Sequence, residues 1–501
     1  MAVSMFFPCL LTLSLLISFG RSIPANDACN AISESVPGQV YFPGDLGYTS
    51  ETLKYWSVAL RELRPVCIVM PTSASQVSAA VKILNQYPDV NFAVKSGGHD
   101  PNPGHSSIQD GVLIALREIR GTAYDAEKRL AFVKPGGEWN DVISVLDPMG
   151  VTLVGGRLGI VGIAGYLLQG GISFLSAQYG LACDSIVGWE TVTANGSIVN
   201  VDAASQPDLA VAMRGSGNQF GIVTQFTIKT YPIGKVWGGS RVYAGDKQDE
   251  IFAALHRFIP YGHQEPKAAI IISDVIAVGK TSIILVFYFY DGPEPPSTGP
   301  FADFLKIIPT TTLTYTRSYA DLLTANGAPA AIVTERASFR TFTIPYLPEN
   351  PGIYAEISDK WHNITSHHFT NLLHLTSECS IDFQPMPSVV GQQSQRAGGN
   401  AMGLNGNDSD RILLEIQCLW ASKEDDTTMY ALSRDLTDWL ESRLPGWEAS
   451  GNEQYNPLFM NDATDDQNVT GSYRDYAKFK ALQKSADPEG FFRVRAGGFK
   501  Y

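Results

Sequence analysis

The segment Val94-Lys95-Ser96-Gly97-Gly98-His99 decides how the rest of the chain is interpreted. It comes at the end of residues 90–94, where Val90, Phe92 and Val94 alternate with other residues as in a β-strand. Successive glycines have no Cβ atoms, so their backbone N–H groups can converge on an anion. A histidine at the end of such a loop can be held against the molecule that carries the anion. A simple turn with a solvated histidine is the alternative interpretation.

Residues 66–94 predict a strand–helix–strand unit that leads into this loop. Residues 66–70 form a short apolar strand, and Ser73-Ala74-Ser75-Gln76 has the spacing of a helix capping box. Apolar residues at positions 77, 80, 81 and 84 share one helical face, and Pro88 ends the helix. Further strands are expected at 112–116, 220–227, 268–273, Thr281–Tyr290 and Arg411–Trp420, and helices at 205–213 and 427–443.

A second glycine-rich segment, residues 155–171, holds seven glycines in 17 positions, interleaved with apolar residues. This pattern indicates either backbone packed against a flat apolar ligand or chain packed closely on chain. A third stretch, residues 214–221, precedes a predicted strand rather than following one, so it does not match a Rossmann dinucleotide site. The sequence has no Walker loop, HExxH zinc motif or GxSxG nucleophile elbow, and no metal site is expected.

Composition excludes some classes of function. The 37 basic and 50 acidic residues give a formal net charge of −13, which argues against a nucleic-acid partner, because phosphate contacts need clustered Lys and Arg. Residues 1–20 have an apolar core too short to span a membrane comfortably, which predicts a secretory signal peptide, with an N-terminal membrane anchor as the alternative. No later segment has about 18 unbroken apolar residues, so no membrane partner is expected.

Cysteine usage and glycosylation sequons agree with export. Without the signal peptide five cysteines are left, so at least one thiol is free or pairs with another chain. Cys29 and Cys67 flank the first apolar element and are predicted to form a disulfide. Sequons for N-linked glycans occur at Asn195, Asn363, Asn407 and Asn468. Asn195-Gly196 also predicts a tight hairpin turn.

In combination and order, these segments resemble the berberine bridge enzyme-like branch of the vanillyl-alcohol oxidase flavoproteins, especially the fungal FAD-linked oxidoreductases of secondary metabolism. The resemblance covers residues 67–233 and resumes at Phe459-Met460-Asn461-Asp462 and Asp487-Pro488-Glu489-Gly490-Phe491. It implies an α+β fold with a two-subdomain PCMH-type FAD-binding domain at 63–235. An antiparallel-sheet substrate domain would follow at 236–454, and residues 455–501 would return to the FAD domain.

The resemblance also implies a set of residues that bind FAD. Ser96, Gly97 and Gly98 would cradle the pyrophosphate, and His99 would bond covalently to the flavin 8-methyl carbon. Many relatives attach the flavin a second time through a Cys at the position of Leu158, so a single covalent link is expected here. The other residues expected to contact FAD are Gly159, Gly162, Gly165, Gly170, Gly171, Asp184, Gly221, Ile222 and Asn461.

The reaction implied by the resemblance is hydride transfer to flavin N5 from a C–H that carries an OH or amine, while a base removes the heteroatom proton. Asp462 is the favoured base, although an acid on a surface loop is the alternative. Glu415 and Gln417 share one face of Arg411–Trp420 and are further candidates, with a hydrogen-bonded sheet residue as the alternative for Glu415. O2 would reoxidise the flavin, and Ile163 is expected near the reactive edge, where its bulk could obstruct oxygen.

Three functions remain open. The first is a secreted, monomeric oxidoreductase, more an oxidase than a dehydrogenase, that acts on a small-molecule alcohol, amine or polyketide-type intermediate of secondary metabolism. The second is a secreted carbohydrate oxidase, which the missing Cys at position 158 makes less favoured. The third is a non-catalytic flavin-binding glycoprotein that has lost its base.

Overall fold

The computed structural model describes residues 24–277, 281–370, 377–448 and 454–501. The segment interpreted as a signal peptide, 1–20, lies outside these residues. Within the described ranges, no helix combines the length and the apolar character that crossing a bilayer requires. The chain folds into helices and three main sheets, which agrees with the predicted α+β class.

The first sheet contains the strand that leads into the SGGH loop. Its strands are β1 (Val40–Tyr41), β2 (Cys67–Val69), β3 (Phe92–Lys95) and β4 (Val112–Ala115), in the order β1-β2-β4-β3, with β2, β4 and β3 parallel. Helices α1 (Pro24–Ser35), α2 (Leu46–Thr52), α3 (Val58–Arg61) and α4 (Ala74–Leu84) accompany it. Ser73 caps α4 by accepting the Gln76 N–H, but the Gln76 side chain accepts from Thr72, so only half of the predicted capping box forms.

The second sheet is antiparallel throughout. Its strands are β5 (Thr122–Asp125), β6 (Leu130–Val133), β8 (Ile186–Val192), β9 (Ile198–Asp202) and β10 (Ile222–Lys229), in the order β5-β6-β10-β8-β9. Strands β7 (Val151–Thr152) and β11 (Tyr231–Pro232) form a separate pair. Helices α5 (Trp139–Leu146), α6 (Ile163–Leu168), α7 (Ser176–Tyr179) and α8 (Pro207–Met213) lie in the same region. The predicted Asn195-Gly196 turn joins β8 to β9, with Gly196 at a φ of +78°.

The third sheet is the largest, and all its pairs are antiparallel. Its strands run β15 (Thr311–Thr312), β12 (Val236–Ala244), β14 (Thr281–Tyr290), β13 (Ala268–Ala277), β18 (Glu378–Met386), β19 (Arg411–Trp420) and β17 (Arg336–Pro345), and β16 (Tyr315–Arg317) also pairs with β12. Helices α9 (Gln248–Phe258), α10 (Tyr319–Gly327), α11 (Ile353–Phe369), α12 (Ser388–Arg396) and α13 (Asp426–Trp447) belong to this part of the chain. Strands β14 and β19 have the predicted bounds, whereas β18 was not predicted.

One face of the third sheet is buried, whereas part of the other face is only half-buried. Residues such as Ile272, Val286 and Ile381 are fully buried in a core that also includes side chains of α9, α11 and α13. Their neighbours along the strands, such as Phe287 and Glu415, are only half-buried although they lie on interior strands. Because successive side chains of a strand point to opposite faces, the second face must border open space.

The C-terminal segment returns across the structure and covers the free edge of β17. The Thr341 N–H donates to Gln467 Oε1 at 3.1 Å, and Gln467 Nε2 donates to the Thr341 carbonyl at 2.7 Å. Two further helices, α14 (Tyr476–Ala486) and α15 (Phe491–Arg495), end the chain. The Asp487 carboxylate accepts the N–H groups of Phe491 and Phe492 at 2.7 and 2.9 Å, so this residue of the C-terminal motif fixes the start of α15.

Two disulfides connect distant parts of the chain. Cys29 bonds to Cys67, the predicted pair, and thereby ties α1 to β2. Cys379 bonds to Cys418, which lies directly opposite it on the neighbouring strand. This second bond was not predicted, because the strand that carries Cys379 was not identified from the sequence. Cys183 is the free thiol among the described residues, and it is buried.

Candidate active site

A cavity of about 490 Å³ lies between the SGGH loop, the glycine-rich segment, the open face of the third sheet and the C-terminal return. It brings together most of the residues singled out in the sequence. The predicted residues that line it are Ser96, Gly97, Gly98, His99, Gly162, Gly165, Gly221, Ile222, Glu415, Gln417, Asn461 and Asp462. Gly159, Gly170, Gly171 and Asp184 are not part of the lining.

The SGGH loop crosses the glycine-rich segment with the two backbones in contact. A Cβ added at Gly162 would lie 2.5 Å from the Gly97 Cα, and one added at Gly97 would lie 2.5 Å from the Gly162 Cα. Ser96 Oγ accepts the Ala164 N–H at 3.2 Å and donates to the Pro135 carbonyl at 2.5 Å. Because any side chain at the crossing would push the segments apart, both glycines are required to hold His99 in its position.

The His99 ring lies inside the cavity, not in solvent. It stacks on Trp56 with ring centroids 4.6 Å apart, and Trp56 stacks in turn on Phe339 at 5.2 Å. Burial lowers the pKa of His99 to about 4, although the Asp100 carboxylate opposes this shift. The imidazole is therefore neutral at physiological pH, and neutral imidazole is the form with a free nitrogen lone pair.

The Glu51 carboxylate pairs with Lys95 and Arg117 next to the SGGH loop. Lys95 Nζ lies 2.7 Å from Glu51 Oε1, and Arg117 Nε lies 2.9 Å from Glu51 Oε2. Gly98 sits directly on this lysine, since a Cβ there would lie 2.7 Å from Lys95 Cε. Burial lowers the pKa of Lys95 to about 8, opposed by Glu51. Sequence reasoning did not find this pair, because Glu51 belongs to a short helix with no recognisable motif.

Close packing of chain on chain explains much of the second glycine-rich segment. A Cβ at Gly155 or Gly156 would overlap the Trp139 ring at 2.5 and 2.4 Å, and a Cβ at Gly159 would lie 1.8 Å from Asn140 Oδ1. A Cβ at Gly165, in contrast, would have no atom within 4 Å. Within this segment, Gly165 is therefore the predicted position with both a place in the lining and open space for a ligand.

Three residues expected at the flavin have other surroundings. The Asp184 carboxylate accepts the Leu181 N–H at 2.7 Å and the Asn400 amide at 2.9 Å, so its hydrogen bonds go to the protein. The Gly171 N–H donates to Asn461 Oδ1 at 2.9 Å and thereby positions a lining residue without lining the cavity itself. Ile163 and Ala164 both belong to the hydrophobic core, but only Ala164 also lines the cavity.

Acidic side chains from β18, β19 and the C-terminal return gather on the opposite wall of the cavity. Gln384 Nε2 donates to Glu415 Oε2 and to Asp462 Oδ2, both at 3.3 Å, so one amide bridges the sheet and the C-terminal return. Asp382 lies directly opposite Glu415 on the neighbouring strand and also lines the cavity. Asp462 is 7% exposed, whereas its neighbour Asp465 is exposed, so Asp462 is not an acid on a surface loop.

Burial makes these carboxyl groups hard to ionise. It raises the pKa of Asp462 and of Asp382 to about 6, and Asp462 adds to the shift of Asp382. Burial, together with the charges of Asp462 and Asp382, raises the pKa of Glu415 well above its usual range, and Arg157 opposes all three shifts. These surroundings favour the protonated form of Glu415, while Asp382 and Asp462 can exchange protons near neutral pH.

Sequence reasoning missed Asp382 and Arg157. A period-two pattern places Ser380, Asp382 and Gln384 on one face of β18, and this signal was present in residues 378–386. Nothing local distinguishes Arg157, which lies within the glycine-rich segment and lines the cavity.

The lining fits FAD. Open space lies over Gly165, a neutral imidazole faces the cavity, and the crossing loops present backbone beside it. Buried polar atoms in the lining also lack a hydrogen-bond partner within the described ranges, namely Ser106 Oγ, Asn326 Nδ2 and Asp382 Oδ1. Such atoms are costly unless a ligand or water satisfies them.

Comparison with known proteins agrees with this site. Residues 65–202 match the model of the family described as FAD binding domain. An uncharacterized FAD-linked oxidoreductase of Arthroderma benhamiae is 34% identical over 92% of this chain and 92% of its own length. The FAD-dependent monooxygenase drtC of Aspergillus calidoustus is 30% identical over 97% and 95% of the two chains.

The fold is shared with solved structures of lower identity. The berberine bridge enzyme of Eschscholzia californica superimposes with a TM-score of 0.72 at 16% identity, covering 94% of this chain and 98% of that one. Identity of 30% or more along nearly the whole length of these FAD-linked relatives shows the family. The chain belongs to the FAD-linked oxidoreductases, and it shares its fold with berberine bridge enzyme.

Proposed function

We propose that the protein oxidises an alcohol, amine or polyketide-type intermediate of secondary metabolism, with FAD held by a single covalent bond to His99. The arrangement that most supports this is one cavity with a neutral histidine on one wall and a bridged carboxyl cluster on the other. FAD bound there would accept the substrate's hydride, and O2 would then take the two electrons and form hydrogen peroxide.

The carboxyl cluster would supply the proton chemistry. Asp462 accepts the heteroatom proton of the substrate, because its pKa of about 6 leaves it largely ionised at neutral pH yet basic enough to act. Glu415 remains protonated and donates a hydrogen bond. The Gln384 amide holds both carboxyl groups in place, one N–H to each. Gln417 lines the same wall and can orient the substrate.

The covalent link is tested without turnover. Protein precipitated with acid should keep yellow flavin on the polypeptide, and a peptide containing His99 should carry the mass of FAD. His99→Ala should release the flavin on precipitation, whereas His367→Ala, at an exposed histidine, should not. Flavin released from the unmodified protein would disprove the covalent bond while leaving FAD binding intact.

A single link also makes a negative prediction for the glycine-rich segment. Leu158 lines the cavity but cannot form a thioether, and Cys183 is buried outside the lining. The peptide with residues 155–171 should therefore carry no flavin, and Leu158→Cys is the variant that could create a second attachment. Flavin on Cys183 would show that the resemblance had been aligned wrongly.

An oxidase and a dehydrogenase differ in how the reduced flavin meets oxygen. Ala164 lines the cavity and the bulkier Ile163 does not, which favours access of O2 to the flavin. Flavin reduced with dithionite should recover its absorbance within seconds of admitting air and should form peroxide. Recovery over many minutes would favour a dehydrogenase, and a flavin bleached by no alcohol, amine or sugar would favour a carrier.

Export and domain organisation are part of the proposal. Two disulfides suit an oxidising compartment, and the sequon residues Asn195, Asn363, Asn407 and Asn468 are all exposed. We assign the FAD domain to residues 63–235 with 455–501 and the substrate domain to 236–454, in a monomer.

A further inference from the structure

Arg157 lines the cavity, and its charge acts on the carboxyl groups of Asp382, Glu415 and Asp462. Within the described parts of the chain, however, its guanidinium has no direct hydrogen bond or ion pair. A guanidinium carries only donors and stays charged at every physiological pH. The attraction of the carboxyl cluster does not satisfy these N–H donors, so they are available to a hydrogen-bond acceptor that comes from outside the protein.

A second unpartnered donor lies on an element that touches the Arg157 segment. Asn326 is 7% exposed and lines the cavity, and its Nδ2 has no partner within the described ranges. It belongs to α10, which contacts the glycine-rich segment where the Gly159 N–H donates to the Leu323 carbonyl at 3.1 Å. The Arg157 guanidinium and Asn326 Nδ2 are therefore two hydrogen-bond donors, on segments that touch, for an oxygen atom of a ligand.

The open face of the third sheet is divided into an apolar half and a polar half. Strands β13 and β14 contribute four apolar side chains, Ile271, Val275, Leu285 and Phe287, and one hydroxyl group, that of Ser273, which hydrogen-bonds to Asp382. The Ile271–Phe287 pair lies directly opposite across these strands. Strands β18 and β19 contribute Ser380, Asp382, Glu415 and Gln417. Since apolar side chains offer no partner to hydroxyl groups, a sugar bound over β13 and β14 would lose hydrogen bonds that water provides.

We infer that the substrate is amphipathic, with a carbonyl, enolate or carboxylate oxygen held by Arg157 and Asn326 and an apolar body lying over β13 and β14. This inference rests on the proposed function and narrows its substrate class. It separates the substrate from simple sugars, which lack the apolar body, and from simple amines, which lack the acceptor.

Binding of three small probes tests the inference without any turnover. Octanoate has an acceptor head and an apolar body, octylamine keeps the body with a cationic head, and gluconate keeps the carboxylate on a polar body. Titrations of the purified holoprotein would follow the flavin absorbance and, in parallel, the Trp fluorescence, since Trp56 lines the cavity. We expect octanoate to bind at least tenfold more tightly than either other probe.

Variants show whether Arg157 is responsible. Arg157→Met should weaken octanoate binding tenfold or more. Arg157→Lys keeps the charge but loses the paired N–H donors of the guanidinium, so its affinity for octanoate should lie between those of Arg157→Met and the unmodified protein. Arg120→Met, at an exposed arginine, should change nothing. Flavin content and absorbance without probe are measured first for each variant, and they should match the unmodified protein.

Each contrary result has a distinct meaning. Octylamine binding more tightly than octanoate would overturn the acceptor site and assign selectivity to the carboxyl cluster. Gluconate binding as well as octanoate would overturn the apolar half. Loss of flavin from Arg157→Met would show that Arg157 binds the cofactor. Unchanged octanoate binding by Arg157→Met would show that Arg157 does not bind the substrate oxygen. None of these readings depends on whether the enzyme oxidises the probes, so failure of the proposed oxidation would be recognised separately.

Discussion

Asp382, Glu415 and Asp462 illustrate how single residues acquire properties from their surroundings. Asp382 and Glu415 lie directly opposite each other on neighbouring strands, an arrangement that destabilises a sheet when both are charged. The raised pKa of Asp462, about 6 instead of 3.8, means that the unfolded chain ionises first as pH rises. The free energy of unfolding should therefore fall between about pH 4 and pH 6, and the lost stability is not regained at higher pH.

The substitution Asp462→Asn removes a charge while keeping an oxygen that can accept the hydrogen bond of Gln384. At pH 8 the variant should have a free energy of unfolding about 1–3 kcal/mol above that of the unmodified protein, measured by denaturant titration. At pH 3 the difference should vanish, because both groups are then neutral. Asp465→Asn, at an exposed neighbour, is the matched control and should show no such pH dependence.

The same variant tests the proposed base. Anaerobic flavin reduction by an active substrate should speed up as pH rises through about 6 in the unmodified protein, since the base must be ionised. Asp462→Asn should slow this reduction by 10²-fold or more while leaving reoxidation by O2 unchanged. If reduction proceeds at the original rate, the proton goes to Asp382 instead, because the surroundings of Glu415 favour its protonated form.

At the scale of elements, the contact between the SGGH loop and the glycine-rich segment fixes the position of His99 in the cavity. Gly97 and Gly162 allow the backbones to touch, while Gly165 leaves space over the lining. The glycines in one segment therefore serve two different purposes, internal packing and ligand access. Periodicity cannot distinguish them, because both purposes require the same missing Cβ atom.

Two alanine substitutions should separate those purposes. Gly162→Ala places a Cβ 2.5 Å from the Gly97 Cα, so it should lower the thermal unfolding temperature and displace His99, with loss of covalent flavin. Gly165→Ala meets no protein atom within 4 Å, so the flavin-free protein should unfold at its original temperature. Flavin incorporation should nevertheless fall, because the added methyl group occupies space assigned to FAD. Normal flavin content in Gly165→Ala would place the cofactor elsewhere.

At the scale of the whole molecule, the site exists only because remote segments meet. Gln467 hydrogen-bonds to Thr341 on the edge strand, and Arg340 pairs with Asp466 at 2.5 Å, so the return segment that carries Asp462 is held against the third sheet. The disulfides add further constraints, one between α1 and β2 and one between β18 and β19, where Cys379 lines the cavity.

Counting thiols tests this arrangement and the proposed export together. The native mature protein should not react with a thiol reagent, because Cys183 is buried and the other described cysteines are paired. After denaturation without reductant, one thiol per chain should react, and the labelled peptide should contain Cys183. A second reactive thiol, at Cys9, would show that residues 1–20 are retained, and N-terminal sequencing would identify the start of the chain directly.

Local sequence was enough for features that depend on neighbours along the chain. Strands β14 and β19 have their predicted bounds, because long apolar runs of β-branched and aromatic or aliphatic residues favour strands whatever they pair with. The SGGH loop was recognisable from its glycines, and Cys29 and Cys67 from their positions around β2. The α+β class and the family followed from such segments in their order.

Only the tertiary structure decided which residues meet. The register of β18 against β19 sets Asp382 beside Glu415 and Cys379 beside Cys418, and no local pattern encodes that alignment. The C-terminal return then brings Asp462 to the same amide, and the glycine-rich segment places Arg157 within their field. Strand register and segment docking are determined by hydrogen bonds and packing between residues far apart in the chain. Local sequence therefore determined the elements and the SGGH loop, while long-range packing determined the polarity of the cavity and the pKa shifts of its carboxyl groups.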